Sequence, residues 1–210
     1  MLIYIIRHGE SLFNRENRIQ GQTDIALSPF GEQQAIAIAN YFKPGDLDAI
    51  LSSPLQRAYQ TARPLADRLN LELQTLDDLK EIHAGIFSGL LWSEIEKRYP
   101  QYSAGWNNME FDFVIPEGES RRQLQERGVR AFEQIIKMPY EKIAVVAHGG
   151  VLCAALKGLL RVPPDTNPFS LFNASVSRLA WDGKWTLLTL NQMEHLESAG
   201  VAKEVGRGNL

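Results

Sequence analysis

One cysteine, Cys153, stands in a chain of 210 residues. That excludes an intramolecular disulfide framework and fits a reducing compartment. Its neighbours are apolar, so it reads as a buried core thiol rather than a nucleophile. Apolar runs long enough to cross a bilayer are missing. The N-terminal apolar segment is too short for a secretory signal and has no basic leader. A large excess of charge of one sign is lacking too. The formal net charge is −3, which offers no general attraction to nucleic acid, so an anionic substrate would need a local cationic pocket. Repeats, low-complexity tracts and glycine/serine linkers do not occur, and nothing marks a domain boundary. The expectation is one domain over residues 1–210, cytoplasmic, with neither a membrane nor nucleic acid as partner.

With 44% hydrophobic and 22% charged residues, the chain can bury a sizeable core. Strand-like Leu2-Ile3-Tyr4-Ile5-Ile6 runs straight into Arg7-His8-Gly9-Glu10-Ser11. A second apolar run, 142–147, ends in His148-Gly149-Gly150. A third, 47–53, is followed by Pro54-Leu55-Gln56-Arg57, which places Arg57 in the first turn of a helix. Open α/β sheets bind ligands at the carboxyl ends of their strands. An arginine beside a histidine there suits an oxyanion with several oxygens, phosphate above all. Two histidines on separate strand ends would also suit a metal, but no third ligand is spaced to help.

The remaining segments read as alternating strands and helices. Ser28 caps a helix that opens on Pro29 and runs to about residue 42. A helix follows from about 55 to 69, and a short strand is expected at 72–76. Trp92 to Tyr99 reads as a helix ended by Pro100. Ser120 caps a long helix to about 137, and an apolar helix covers 151–160. Asp182-Gly183 between two β-rich runs signals a late hairpin. The fold class is therefore α/β: a three-layer α/β/α sandwich with a mostly parallel central sheet and a late antiparallel hairpin.

The pattern resembles the histidine phosphatase superfamily, also called phosphoglycerate mutase-like. The elements that carry the resemblance are Arg7-His8-Gly9-Glu10-Ser11 with Asn14, Gln20-Gly21, Leu27-Ser28 with Gly31, and Ser52-Ser53-Pro54 with Arg57, Thr61 and Ala62. Glu81 with Gly85 and Gly89, Pro116-Glu117-Gly118-Glu119-Ser120 and His148-Gly149 complete it, so it spans most of the chain. The resemblance implies a phosphatase that uses His8 as nucleophile, through a phosphohistidine, with no metal and no cofactor. Arg7, Arg57 and His148 would surround the phosphate, and these cations would keep His8 unprotonated. Gly9 would leave room beside the nucleophile. Asn14, the backbone at Gln20 and Gly21, and Gly149 would add contacts to the substrate. Glu81 would begin protonated and serve as general acid, then base.

Other residues have weaker claims. His83 lies two positions from Glu81, so the two side chains share a side if the backbone is extended, and it is carried as a substrate contact. His195 reads as structural. Ser11 reads as capping the turn after the first strand. The aromatic stretch 85–119 reads as a cap beside the phosphate site, and the end of the chain is left open as a lid. Arg121 and Arg122 read as a solvated helix face. The expected substrate is a small phosphorylated metabolite: phosphoserine, α-ribazole phosphate, a sugar phosphate or phosphoglycerate. The alternative is a cofactor-dependent phosphoglycerate mutase, and a third reading is a non-catalytic binding protein of the same fold. The short aromatic cap, with Lys97 and Arg98 as its only basic residues, favours the phosphatase over the mutase. A homodimer is left open.

Overall fold

A computed structural model describes residues 1–202. Its centre is a six-stranded sheet in the order β3-β2-β4-β1-β5-β6. The strands are β1 (Leu2–Arg7), β2 (Ala49–Ser52), β3 (Leu73–Thr75), β4 (Lys142–Ala147), β5 (Val176–Trp181) and β6 (Trp185–Gln192). β1 to β4 run parallel, while β5 and β6 form the antiparallel hairpin on one side. Among the described residues the α-helices are α1 (Leu12–Glu16), α2 (Pro29–Tyr41), α3 (Gln56–Leu69), α4 (Trp92–Arg98), α5 (Pro100–Asn107), α6 (Arg121–Ile135), α7 (Gly149–Leu159) and α8 (Glu194–Ser198).

Side-chain alternation builds the three layers. Ile3, Ile5, Leu51, Ile143 and Val145 face one side and pack on α6 and α7 through Phe132, Ile135, Leu152 and Leu156. Ile6, Ile50, Ala144 and Val146 face the other side and meet Ile38 of α2, Ala62 and Leu65 of α3 and Leu196 of α8. Both faces of the parallel strands are thus buried, which is why they read as continuous apolar runs.

Two elements depart from the sequence reading. Pro100 does not merely end a helix. Tyr99 leaves helical geometry at φ −135°, and Pro100 then occupies the first turn of α5, where its missing N–H costs nothing. The short α1 was hidden because its five residues carry no apolar period. Its signal is the capping box: the Ser11 hydroxyl accepts from the Asn14 N–H and the Asn14 side chain accepts from the Ser11 N–H. Ser11 therefore has the capping role expected of it. Of the tail 194–210 that was left open as a lid, residues 194–198 form α8 with Leu196 in the core, and residues 203–210 lie outside the described residues.

Candidate active site

The carboxyl ends of β1, β2 and β4 open into a cavity of about 1050 Å3. β1 delivers Arg7 and places His8 just beyond it, β4 delivers His148, and the first turn of α3 delivers Arg57. All four side chains are buried. The His8 and His148 ring centroids lie 5.1 Å apart.

His8 has its tautomer set by a neighbour. Nδ1 lies 2.7 Å from the Gly9 carbonyl oxygen. A carbonyl can only accept, so Nδ1 carries the proton and a neutral ring keeps its lone pair on Nε2. Neutrality is enforced by burial first, then by Arg57 and Arg7, which together hold the His8 pKa well below its usual value. His148 is depressed in the same way, by burial and then Arg57. Its Nε2 lies 2.8 Å from the Ser53 hydroxyl, and its buried Nδ1 has no hydrogen-bond partner.

The two guanidiniums are aimed by carbonyls rather than by carboxylates. Arg57 donates to Thr23 O at 2.9 Å and to Gly21 O at 2.8 Å. Arg7 donates to Leu171 O. In each arginine Nε is buried and unpartnered, and neither arginine makes an ion pair among the described residues. Burial pulls Arg57 down to about 10, still a cation at neutral pH. Two buried, unpaired cations cost several kcal/mol of desolvation, so the fold holds a preformed anion site. Gly21 serves this site through its carbonyl. Its φ of +52° and the Ala84 Cβ at 2.6 Å from a hypothetical Cβ leave glycine as the residue that fits. Gln20 and Gly21 both line the cavity, and the Gln20 side chain accepts from the Ser11 hydroxyl.

Glu81 closes the opposite side, against the N-terminus of α7. Oε2 accepts from Gly150 N at 2.9 Å, and Oε1 accepts from Val151 N at 3.0 Å and Ile82 N at 2.9 Å. Both oxygens act as acceptors. A Cβ on Gly150 would stand 2.3 Å from Oε1, so the glycine makes the approach feasible. Gly149 lies against the Arg7 guanidinium and also lines the cavity. Asn14 lines it too, with Oδ1 spent on Ser11 and on Asn173.

Three expectations are corrected. His83 is exposed and does not line the cavity. The backbone at 81–83 is not a strand, so a spacing of two does not put the side chains together. Gly9 makes room for Gly31, not for substrate, since a Cβ there would stand 2.7 Å from the Gly31 carbonyl oxygen. Of Arg121 and Arg122, only Arg122 is the solvated residue, paired with Asp112. Arg121 is half-buried over the Trp106 ring and lines the cavity. His195 and Cys153 fit their structural readings. His195 Nε2 donates to Ala174 O at 2.9 Å, and burial pushes the Cys153 thiol up to about 12.

Some site residues escaped the sequence reading. Asn173 Nδ2 donates to the carbonyls of His8 and Gly9, at 3.0 and 3.3 Å. Ala174 beside it takes φ +59°, and its N–H reaches Arg7 O and His8 O. Arg127 holds the Glu81 segment from behind. It donates to the carbonyls of Asp78, Lys80 and Glu81 and pairs with Glu119, whose Oε1 also accepts from His83 N. The only signal for Asn173 was its place just before β5. Arg127 sits one turn after Gln123, inside the helix that follows the Glu119-Ser120 motif.

A parallel α/β sheet that gathers two buried imidazoles, two unpaired guanidiniums and a carboxylate at its strand ends is built for the phosphoryl group of an ester. Comparison with known proteins makes the class specific. The family model of the histidine phosphatase superfamily (branch 1) matches residues 3–193, and the chain belongs to that family. It is a phosphoric monoester hydrolase of the histidine phosphatase type. Among its relatives, a metal-independent phosphoserine phosphatase of Arabidopsis thaliana is 37% identical over 203 residues, covering 94% of this chain and 84% of that one. A phosphoglycerate mutase-like protein 4 from the same plant is 35% identical, covering 94% and 88%. A mycobacterial glucosyl-3-phosphoglycerate phosphatase, solved in complex with VO3, superposes with a TM-score of 0.80 at 31% identity, covering 90% of this chain and 98% of that one.

Proposed function

We propose that the protein hydrolyses a small-molecule phosphomonoester through a phosphohistidine on His8. The observation that carries this reading is the His8 tautomer: Nδ1 is tied to the Gly9 carbonyl, which leaves the lone pair on Nε2 in a ring that lines the cavity with Arg7 and Arg57 and stands 5.1 Å from the His148 ring. Nε2 attacks phosphorus, the P–O bond to the alcohol breaks, and the leaving oxygen takes a proton from Glu81. Water then attacks the phosphohistidine, gives its proton to Glu81, and frees the His8 ring and inorganic phosphate. The Nε atoms of Arg7 and Arg57 and Nδ1 of His148 are buried without hydrogen-bond partners, which leaves them as candidate donors for the nonbridging oxygens. Two fixed guanidiniums supply the positive charge that a metal supplies in other phosphoryl-transfer enzymes, so the reaction proceeds without one.

Rapid acid-free quenching during turnover of a 32P-labelled ester should trap acid-labile phosphate on His8. His8→Ala should reduce kcat by about a thousandfold or more with an unchanged far-UV spectrum. Near-normal turnover by that variant would reject the reading.

The mutase reading keeps support from the relatives named as mutase-like. The short cap argues against it, because a mutase must return the phosphoryl group before water arrives. With 3-phosphoglycerate, and with or without 2,3-bisphosphoglycerate, free phosphate should exceed 2-phosphoglycerate. Fast isomerisation with little phosphate release would reverse the assignment.

A further inference from the structure

The cavity continues past the phosphate site, and its far end carries two more cations. Arg121, at the start of α6, stacks its guanidinium 3.8 Å over the Trp106 ring centroid and donates Nη2 to Trp106 O. Its Nη1 is buried and has no partner. Lys157, on α7, is buried, and its Nζ donates to Pro164 O at 3.0 Å. Two of the three donors of an ammonium are left over. Both residues line the cavity. Neither makes an ion pair among the described residues, and Asp165 is the acidic group whose field reaches Lys157. The two cations also repel one another: burial lowers the Lys157 pKa first, and Arg121 lowers it further.

Burying two like charges, one with an orphaned N–H, costs stability that their bonds to two carbonyls and the Trp106 ring offset only in part, and no ion pair among the described residues compensates it. The cavity walls also include Met109, Phe111, Phe169 and Phe172. α7 serves as the ruler. Gly150 at its first turn holds Glu81, and Lys157 follows seven residues later, roughly 10 Å along the axis at the usual helical rise. We infer that Arg121 and Lys157 form a second anion subsite, and that the substrate is a phosphomonoester bearing another acidic group, carboxylate or phosphate, at the far end of a sugar-sized scaffold. The inference rests on the phosphatase reading above. A separation of roughly 10 Å suits a six-carbon sugar acid or sugar bisphosphate, with one acid at each end.

Paired substrates test this. Wild-type kcat/KM should be at least tenfold higher for 6-phosphogluconate than for glucose 6-phosphate, or for fructose 1,6-bisphosphate than for fructose 6-phosphate. The first pair reads a carboxylate at the second subsite and the second pair a phosphate. Arg121→Gln and Lys157→Met should each remove roughly ten- to a hundredfold of kcat/KM on the preferred diacid. Their losses on p-nitrophenyl phosphate, which has no second acid, should be at least tenfold smaller. Equal wild-type rates within both pairs, or a preference that survives both substitutions, would overturn the subsite while p-nitrophenyl phosphate is still hydrolysed. Absence of turnover on every ester, p-nitrophenyl phosphate included, would instead overturn the phosphatase reading beneath it.

Discussion

At the scale of single residues, Glu81 is the group with two tasks. It accepts three backbone N–H bonds, yet the leaving alkoxide needs a proton from it. The monoanion of the ester can bring that proton in, and the leaving group decides how much the transfer matters. Glu81→Gln should cost about a hundredfold or more in kcat on an alkyl ester such as glycerol phosphate, and less than about tenfold on p-nitrophenyl phosphate, whose departure needs little protonation. Steady-state kinetics on the two esters check this, and equal losses would take Glu81 out of the general-acid role. Much of the site is legible residue by residue. His8, Arg57 and His148 sit where an apolar strand stops, and strand ends are where α/β sheets bind ligands. Asn173 was not legible, because it lies in the loop 161–174, which has no period; Lys157 was not, because it is a single cation inside the otherwise apolar run of α7. His83 misled because a spacing of two means one face only in extended backbone.

At the scale of elements, the N-terminus of α7 is the part most exposed to small changes. Gly150 lets the Glu81 carboxylate sit on the first turn of the helix, and an added methyl would fall 2.3 Å from Oε1. Gly150→Ala should therefore separate activity from stability. Alanine adds up to about 1 kcal/mol of helix propensity. The displaced carboxylate should lower kcat on alkyl phosphates by roughly ten- to a hundredfold. Thermal unfolding and kinetics on one preparation decide it: a large fall in Tm, or unchanged kcat, would contradict the packing argument. Most elements were readable in advance. Ser28-Pro29 and Ser120 cap α2 and α6 as expected, each hydroxyl accepting from the N–H three residues on. The six strands follow from apolar runs and one Asp-Gly turn. α1 and α5 were missed because one is too short for a period and the other is opened by a proline that also closes its predecessor.

At the scale of the whole molecule, burying imidazoles ties the fold to pH. His8, His148 and His195 all have folded pKa values depressed below the usual one, chiefly by burial. The unfolded chain takes up protons on them near pH 6.5 while the folded chain does not. Stability is therefore full above that pH and falls as the pH drops below it, by up to about 1.4 kcal/mol per pH unit for each of these histidines. Urea midpoints at pH 7.5, 6.5 and 5.5 should decline steadily, and a flat profile would show that these rings are not neutral in the folded state. The strand order has a different consequence. β1, which comes first in the chain, pairs with β4 on one side and β5 on the other, so Ile3 meets Ile143 and Leu179. During synthesis at ~5–20 residues per second, β1 must wait for more than half the protein to leave the ribosome. Until then its backbone N–H and C=O groups have no strand to pair with, and Ile3 and Ile5 lack their β4, α6 and α7 neighbours. This is a high-contact-order topology, and such chains fold slowly and are prone to aggregate while incomplete. The phosphate site, drawn from β1, α3 and the β4–α7 junction, therefore comes together only after more than two thirds of the chain has been made.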